Sequence, residues 1–146
     1  MASAIRTENF TLQSDPKLLQ PLLRDKITPF LEQSGFDAKI TGSLLVAVGE
    51  AVTNCIRHSY HNESGHPIEI TAENYEDRVV FRIRDYGEKV DMQRIHEKEK
   101  PKLPPETGGG LGVYFIKTIL DHVEYNTAHA KGNELVLVKM KSGAKS

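Results

Sequence analysis

The sequence has little of what marks secreted or membrane-embedded proteins. Tryptophan is absent and Cys55 is the single cysteine, so no internal disulfide and no CxxC metal-binding pair is possible. The longest apolar run covers six residues, 44–49, whereas a membrane-spanning helix needs about 20. No basic segment followed by an apolar one stands at the N-terminus, so no signal peptide is evident. We therefore expect a cytoplasmic protein that does not enter a membrane.

An excess of charge of one sign is also missing. Lys and Arg number 19 against 20 Asp and Glu, which gives a formal net charge of −1. Without a positive field, the composition does not favour direct binding to nucleic acid or to an anionic membrane. Leu, Ile, Val and Phe make up about a quarter of the chain, which is enough for a packed core. At 146 residues we expect a single domain over 1–146.

Hydrophobic periodicity predicts two helices in the first half of the chain. Asp15 before Pro16 is typical of a helix start, and apolar residues recur at helical spacing as far as Gly35. Pro29 is expected to kink or divide this helix. A second helix is predicted from 38 or 43 to about 61, with a core face formed by Leu44, Leu45, Val48, Ala51, Val52, Cys55 and Ile56.

Three polar residues follow one another along the border of that second apolar face. Glu50, Asn54 and His58 are spaced i, i+4, i+8 and therefore lie on one side of the helix. A helix that lines a polar cleft shows this row, and so does an ordinary half-exposed flank. An Asn oxygen can bind Mg²⁺, and a Glu one turn earlier can act as a general base.

Alternating patterns predict an antiparallel sheet. Residues 4–13 form a candidate edge strand, the stretches around 68–70 and 79–83 form a hairpin, and two closing strands at about 122–129 and 133–141 meet at Lys131-Gly132-Asn133. A short helix is predicted over 91–98, and another opens at residue 108 and runs to about 122. We therefore expect an α+β fold, a two-layer α/β sandwich with a mostly antiparallel sheet and helices on one face.

Two short segments are candidates for binding an anionic ligand. Four glycines in five positions allow close approach of backbone N–H groups to a phosphate at a helix start, although a flexible hinge has the same composition; they are Gly108, Gly109, Gly110 and Gly112, with Leu111 between them. Asp85-Tyr86-Gly87 at a strand end offers a carboxylate to the amino group of a purine, although Asp-x-Gly is also an ordinary turn.

Taken together, these segments resemble a known family. Glu50-Ala51-Val52-Thr53-Asn54 with His58 resembles the N box of the GHKL ATPases, which have the Bergerat ATP-binding fold. Asp85-Tyr86-Gly87 resembles their G1 box and 108–112 their G2 box, in the same order. The short chain and the string Gly-Leu-Gly-Val-Tyr-Phe-Ile-Lys-Thr are similar to the bacterial anti-sigma factor serine kinases. Tyr86 is a bulky departure within the G1 segment.

The resemblance implies a role for each matching residue. Asn54 would coordinate Mg²⁺ on the phosphates of ATP, with His58 near the nucleotide, and Glu50 would be the general base. Asp85 would bind the adenine amino group and Gly87 would support the ring. The glycine segment (Gly108, Gly109, Gly110, Leu111, Gly112) would contact the phosphates, and a lid would span about 97–110.

The resemblance also implies partners. The cofactors would be ATP or ADP and Mg²⁺, and the chain would phosphorylate a serine of an anti-anti-sigma (STAS-domain) protein and sequester a sigma factor, as a homodimer. Two alternatives stay open. One is a nucleotide-binding module that captures a partner without phosphate transfer, and the other is a histidine-kinase-type domain that acts on a separate protein.

Overall fold

A computed structural model describes residues 3–91, 119–126 and 128–141. Five strands are present in this part of the chain: β1 (Arg6–Gln13), β2 (Pro67–Asn74), β3 (Arg78–Asp85), β4 (His122–Asn126) and β5 (Asn133–Met140). The helices are α1 (Pro16–Leu22), α2 (Thr28–Gln33) and α3 (Ala38–Asn54), with π-helical turns at Leu23–Ile27 and Cys55–Ser59. None of the helices in these ranges is long and apolar enough to cross a bilayer.

The five strands form one sheet in the order β1-β2-β3-β5-β4, and every neighbouring pair is antiparallel. Strand β1 lies at the sheet edge, as its polar composition predicts. The register pairs Asp85 with Ile68 on one side and with Asn133 on the other. Three strand ends therefore meet at the Asp85 end of the sheet.

The first predicted helix is divided, as expected from its proline. Asp15 caps α1 by accepting a hydrogen bond from the backbone N–H of Lys17 at 3.0 Å. Pro29 has no N–H to donate, and the chain before it winds as a π-helical turn before α2 begins. Gly35 ends the helix with φ +95°, a conformation that glycine adopts without strain.

The long helix α3 packs its apolar face against the sheet. Asp37 caps it through the backbone N–H of Ile40 at 2.8 Å. Leu44, Val48 and Val52 are at most 1% exposed, and they belong to the same core cluster as the inward-facing residues of β2 and β3. The predicted core face is confirmed, except that Leu45 is only partly buried.

The fold class predicted from the sequence is confirmed, with one correction at the end of the sheet. Helices cover one face of an antiparallel sheet, which is a two-layer α+β arrangement. Strand β4 ends at Asn126 rather than near 129, whereas β5 begins at Asn133 as predicted. Asn133 joins the strand because it pairs with Asp85. The helix predicted over 91–98 and most of the one from 108 to 122 lie outside the described residues.

Candidate functional site

A cavity of about 630 Å³ lies between the C-terminal end of α3 and one end of the sheet. Helix α3 and the π turn after it contribute one wall, and β3, β4 and β5 contribute the other. The segment that follows β3 borders it as well. The lining residues are Ala51, Asn54, Cys55, Ile83, Asp85, Lys89, Val90, Asp91, Val123, Glu124, Tyr125, Asn126, Asn133, Glu134 and Leu135. The lining therefore combines apolar side chains with charged and amide side chains.

Asp85 is the most deeply buried carboxylate at this site. It is 0% exposed, and its two oxygens accept hydrogen bonds from three groups. Ser59 Oγ donates to Oδ2 at 2.9 Å, while the Gly87 N–H and Asn133 Nδ2 each donate to Oδ1 at 3.0 Å. Burying a carboxylate is costly unless such donors surround it. The side chain is thus a fixed acceptor in the cavity wall.

Gly87 is required where the chain leaves β3. A Cβ atom at this position would lie 2.4 Å from the carbonyl oxygen of Ser59, so a larger residue has no room. The next residue, Glu88, donates its backbone N–H to that same oxygen at 2.9 Å. The turn interpretation of Asp85-Tyr86-Gly87 is confirmed, because the Gly87 N–H closes an Asx turn on Asp85. The carboxylate also lines a cavity, and its binding to a purine amino group stays a prediction.

The bulky Tyr86 does not obstruct the cavity. Its hydroxyl donates to Glu69 Oε1 at 2.6 Å, and the guanidinium of Arg84 lies 4.3 Å from the centre of its ring. Glu69 and Arg84 are paired neighbours on the sheet face that points away from the helices. The departure in the G1 segment is thus accommodated on the outer face.

Asn54 lies in the wall of the cavity and is 1% exposed. Within the described ranges, neither atom of its side-chain amide has a hydrogen-bond partner. An unsatisfied buried polar group costs about 1–3 kcal/mol, so such groups are rare without a functional reason. The sequence predicts Asn54 on the border of the apolar face of α3, whereas the side chain is buried in the structure.

The other two residues of the predicted polar row lie elsewhere. Glu50 and His58 are both half-buried and interact with other groups. Of the residues that the structure describes, neither is among those lining the cavity. The helical row therefore brings Asn54 to the cavity and leaves Glu50 one turn away along α3.

Cys55 lies beside Asp85 in the same wall. Burial raises the pKa of its thiol well above the ordinary value, and the negative charge of Asp85 raises it further. The pKa of the Tyr60 hydroxyl is also raised, first by burial. Its oxygen accepts the backbone N–H of Tyr86 at 2.7 Å and its proton goes to the carbonyl of Pro67. Tyr60 thus ties the end of β3 to the start of β2.

Sequence reasoning missed two residues of the Asp85 cluster. The motifs assign no role to Ser59, and Asn133 is predicted only as the residue where the last strand begins. Ser59 is 26 residues from Asp85 and Asn133 is 48 residues away, so only the strand register brings them together. The sequence marks them only by position. Ser59 stands near the predicted end of the second helix, and Asn133 stands at the predicted start of the last strand.

The structure also tests which cavity residues suit a nucleotide with Mg²⁺. A buried acceptor (Asp85) and an amide with no hydrogen-bond partner among the described residues (Asn54) both line the cavity. The carboxylate suits an adenine amino group, and the amide oxygen suits an oxygen-preferring cation. Gly87 is not among the lining residues, and Ser59 and Tyr60 fill the space where its Cβ would lie. The predicted phosphate-binding residues lie outside the described residues, as does the whole of the predicted lid, 97–110; they are Gly108, Gly109, Gly110, Leu111 and Gly112.

Comparison with known proteins agrees with this geometry. Residues 12–139 match the family described as the histidine kinase-like ATPase domain. The chain belongs to this family. The resemblance to the GHKL ATPases predicted from the three boxes is thereby confirmed.

The chain is similar to proteins named as serine-protein kinases or as anti-sigma factors. A serine-protein kinase RsbW of Oceanobacillus iheyensis is 33% identical over 100 residues, which cover 65% of this chain and 63% of that protein. An anti-sigma F factor of the same organism is 35% identical over 102 residues, 68% of each chain. A serine-protein kinase RsbW of Bacillus velezensis is 24% identical over 129 residues, 85% of this chain and 80% of that protein. The match with the first of these relatives spans a little under two thirds of its length.

Proposed function

We propose that this chain is an ATP-dependent protein-serine kinase that also acts as an anti-sigma factor. One observation carries the proposal. In a chain of the histidine kinase-like ATPase family, a buried carboxylate (Asp85) and an unpartnered buried amide (Asn54) line the same cavity. The relatives named serine-protein kinase and anti-sigma F factor support the choice of activity.

Nucleotide binding would begin at the sheet end of the cavity. Asp85 would accept a hydrogen bond from the adenine amino group, and Gly87 would support the ring. The glycine segment (Gly108, Gly109, Gly110, Leu111, Gly112) would contact the phosphates, and His58 would lie near them. Asn54 would hold Mg²⁺, which neutralises charge on the phosphates when it is bound.

Glu50 is the proposed general base for phosphoryl transfer. It stands one helical turn before Asn54, so both side chains project from the same side of α3. The proton of the acceptor serine would go to the Glu50 carboxylate as the serine oxygen bonds to the γ-phosphorus. The bond from that phosphorus to the β–γ bridging oxygen breaks, and ADP leaves.

The proposed partners follow from the same subgroup. The acceptor serine would belong to an anti-anti-sigma protein of the STAS class, and the chain would sequester a sigma factor in the alternative complex. We propose that it does so as a homodimer in the cytoplasm. ATP and ADP would bias the choice of partner, since a ligand shifts an equilibrium by binding one state more tightly.

Phosphate transfer to a purified STAS-domain partner tests the proposal. Incubation with ATP and Mg²⁺ should yield phosphoserine, and Glu50→Gln should lower the rate at least 100-fold while ATP still binds. Glu32→Gln, an exposed change in α2, is the matched control and should keep the wild-type rate.

Two results would instead support the alternatives. ATP binding and partner capture with no phosphate on the partner would indicate a binding module. Phosphate on the acceptor that is labile to acid and stable to alkali would indicate histidine as the acceptor residue.

A further inference from the structure

Asn133 occupies the centre of the Asp85 cluster, although no sequence motif points to it. Its Nδ2 donates to Asp85 Oδ1 at 3.0 Å, to Ser59 Oγ at 3.0 Å and to the carbonyl oxygen of Glu88 at 2.8 Å. Its Oδ1 accepts the backbone N–H of Val90 at 2.9 Å. One amide thus joins β3, β5, the turn after α3 and the segment after Gly87.

The neighbours fix the orientation of this amide. The Val90 N–H requires an acceptor, and three oxygens on the other side require donors. Turning the amide over would place its oxygen against the Asp85 carboxylate and its NH₂ against the Val90 N–H, which breaks all of these bonds. Asn133 therefore has a single stable orientation.

Gly132 allows Asn133 to reach this position. Its φ is +78°, and a Cβ there would lie 2.1 Å from the carbonyl oxygen of Asp85. The chain therefore passes directly against the end of β3 just before β5 begins. The neighbouring side chain is brought within hydrogen-bond distance of the Asp85 carboxylate as a result.

The orientation of the amide sets the direction of the neighbouring hydrogen bonds. Since Ser59 Oγ accepts from Asn133, its own proton is directed to Asp85 Oδ2. Both hydrogens of the Asn133 amide are shared among three protein acceptors, so no donor remains for a ligand. The cluster therefore presents acceptors rather than donors to the cavity, which Asp85 and Asn133 both line.

We propose that Asn133 is a positioning and specificity-determining residue for the nucleotide base. By holding Asp85 and the Ser59 hydroxyl in one arrangement, it makes the site select a base with an amino group over one with a carbonyl group at the same position. The inference rests on the proposed ATP binding. Asn133 also holds the backbone of Glu88 and Val90 against the same carboxylate.

Titration calorimetry with ATP and inosine triphosphate tests the assignment. The two nucleotides differ in the group that would face Asp85. Inosine carries a carbonyl group where adenosine carries the amino group. Wild type should prefer ATP, and Asn133→Ala should reduce that preference about tenfold, mainly through weaker ATP binding. Asn9→Asp, on the outer face of β1, is the control and should keep the wild-type ratio.

A second variant covers the case in which Asn133→Ala does not fold. Asn133→Ser keeps one hydroxyl donor and should show an intermediate preference for ATP. Hydrogen exchange gives an independent readout, because the Val90 amide should exchange faster in either variant once its acceptor is lost. If Asn133 had a purely structural role, its substitution would weaken the binding of both nucleotides equally, and the ratio of their affinities would stay unchanged.

The outcomes separate the inference from the proposed function. Suppose that the wild type binds ATP and that the Asn133 variants keep the wild-type ratio of ATP affinity to inosine triphosphate affinity. This result would overturn the role of Asn133 alone. Wild type that binds neither nucleotide would overturn the proposed function and this inference with it. A reduced ratio in the variants, with normal melting curves, would support both.

Discussion

At the scale of single residues, Asn54 has an environment that folding alone does not explain. It is buried and lines the cavity, and neither amide atom has a partner in the part of the chain that the structure describes. Asn54→Ala should leave the free energy of unfolding within about 1 kcal/mol of wild type, since it removes no hydrogen bond. It should weaken Mg²⁺-dependent ATP binding at least tenfold, as measured by titration calorimetry.

Asn74 offers a matched control for this change. It is also buried, and its Oδ1 has no hydrogen-bond partner among the described residues. It stands at the end of β2 that is far from Asp85. Asn74→Ala should leave ATP affinity unchanged. Equal nucleotide affinity in wild type and Asn54→Ala, with EDTA and Mg²⁺ giving the same result, would remove the metal assignment.

Gly87 provides a steric prediction at the same scale. Gly87→Ala forces a methyl group against the Ser59 carbonyl and should lower the free energy of unfolding by about 1–3 kcal/mol. Gly42→Ala is the matched control, because nothing lies within 4 Å of that position on α3. It should raise the free energy of unfolding by about 0.5–1 kcal/mol. Chemical denaturation of both variants checks the pair, and a stabilised Gly87→Ala would contradict the close approach.

Glu134 gives a prediction about pH. Burial raises the pKa of its carboxyl, but hydrogen bonds from His129 and Asn126 outweigh burial and the net pKa is lowered. The charged form is therefore stabilised by folding. That contribution is complete above the unfolded pKa of about 4.3 and is lost as the pH falls through the lower folded value.

Comparison of wild type with Glu134→Gln measures this contribution. The variant should be less stable near pH 7 by up to about 1 kcal/mol, and the difference should vanish in acid. Urea denaturation at a series of pH values gives both curves. A difference that grows as the pH falls below 4 would have the wrong sign for this account.

At the scale of elements, α3 connects the core to the cavity. Val52 is fully buried, and Val46 on the same helix is 49% exposed. Val52→Asp should cost about 4 kcal/mol or more because it buries an unpaired charge, while Val46→Asp should change the stability by about 0.5 kcal/mol or less. Thermal melting compares the two, and similar melting temperatures would show that the helix faces are assigned wrongly.

The elements themselves were largely predictable because their signals are local. Asp15, Pro29 and Gly35 act within one or two turns of helix, and alternation along a strand is visible in eight residues. The start of β5 was predicted at Asn133, but the end of β4 was placed about three residues too far along the chain. The pairing of Asn133 with Asp85 across the sheet was not predicted.

At the scale of the whole molecule, the sequence predicted which residue types form the site and missed how they are held. Asp85, Gly87 and Asn54 were found because each belongs to a short motif. The burial of Asn54 was not foreseen, since its exposure depends on the strands that pack over the end of α3. Ser59 and Asn133 were missed because their contacts with Asp85 span 26 and 48 residues of chain.

Calorimetric titration of ATP and ADP into the purified protein, first with Mg²⁺ and then with EDTA, tests whether this cavity binds a nucleotide. Asp85 and Asn54, which line the same cavity, predict micromolar binding that weakens at least tenfold when Mg²⁺ is removed. Absence of binding under both conditions would contradict the assignment of this cavity to a nucleotide.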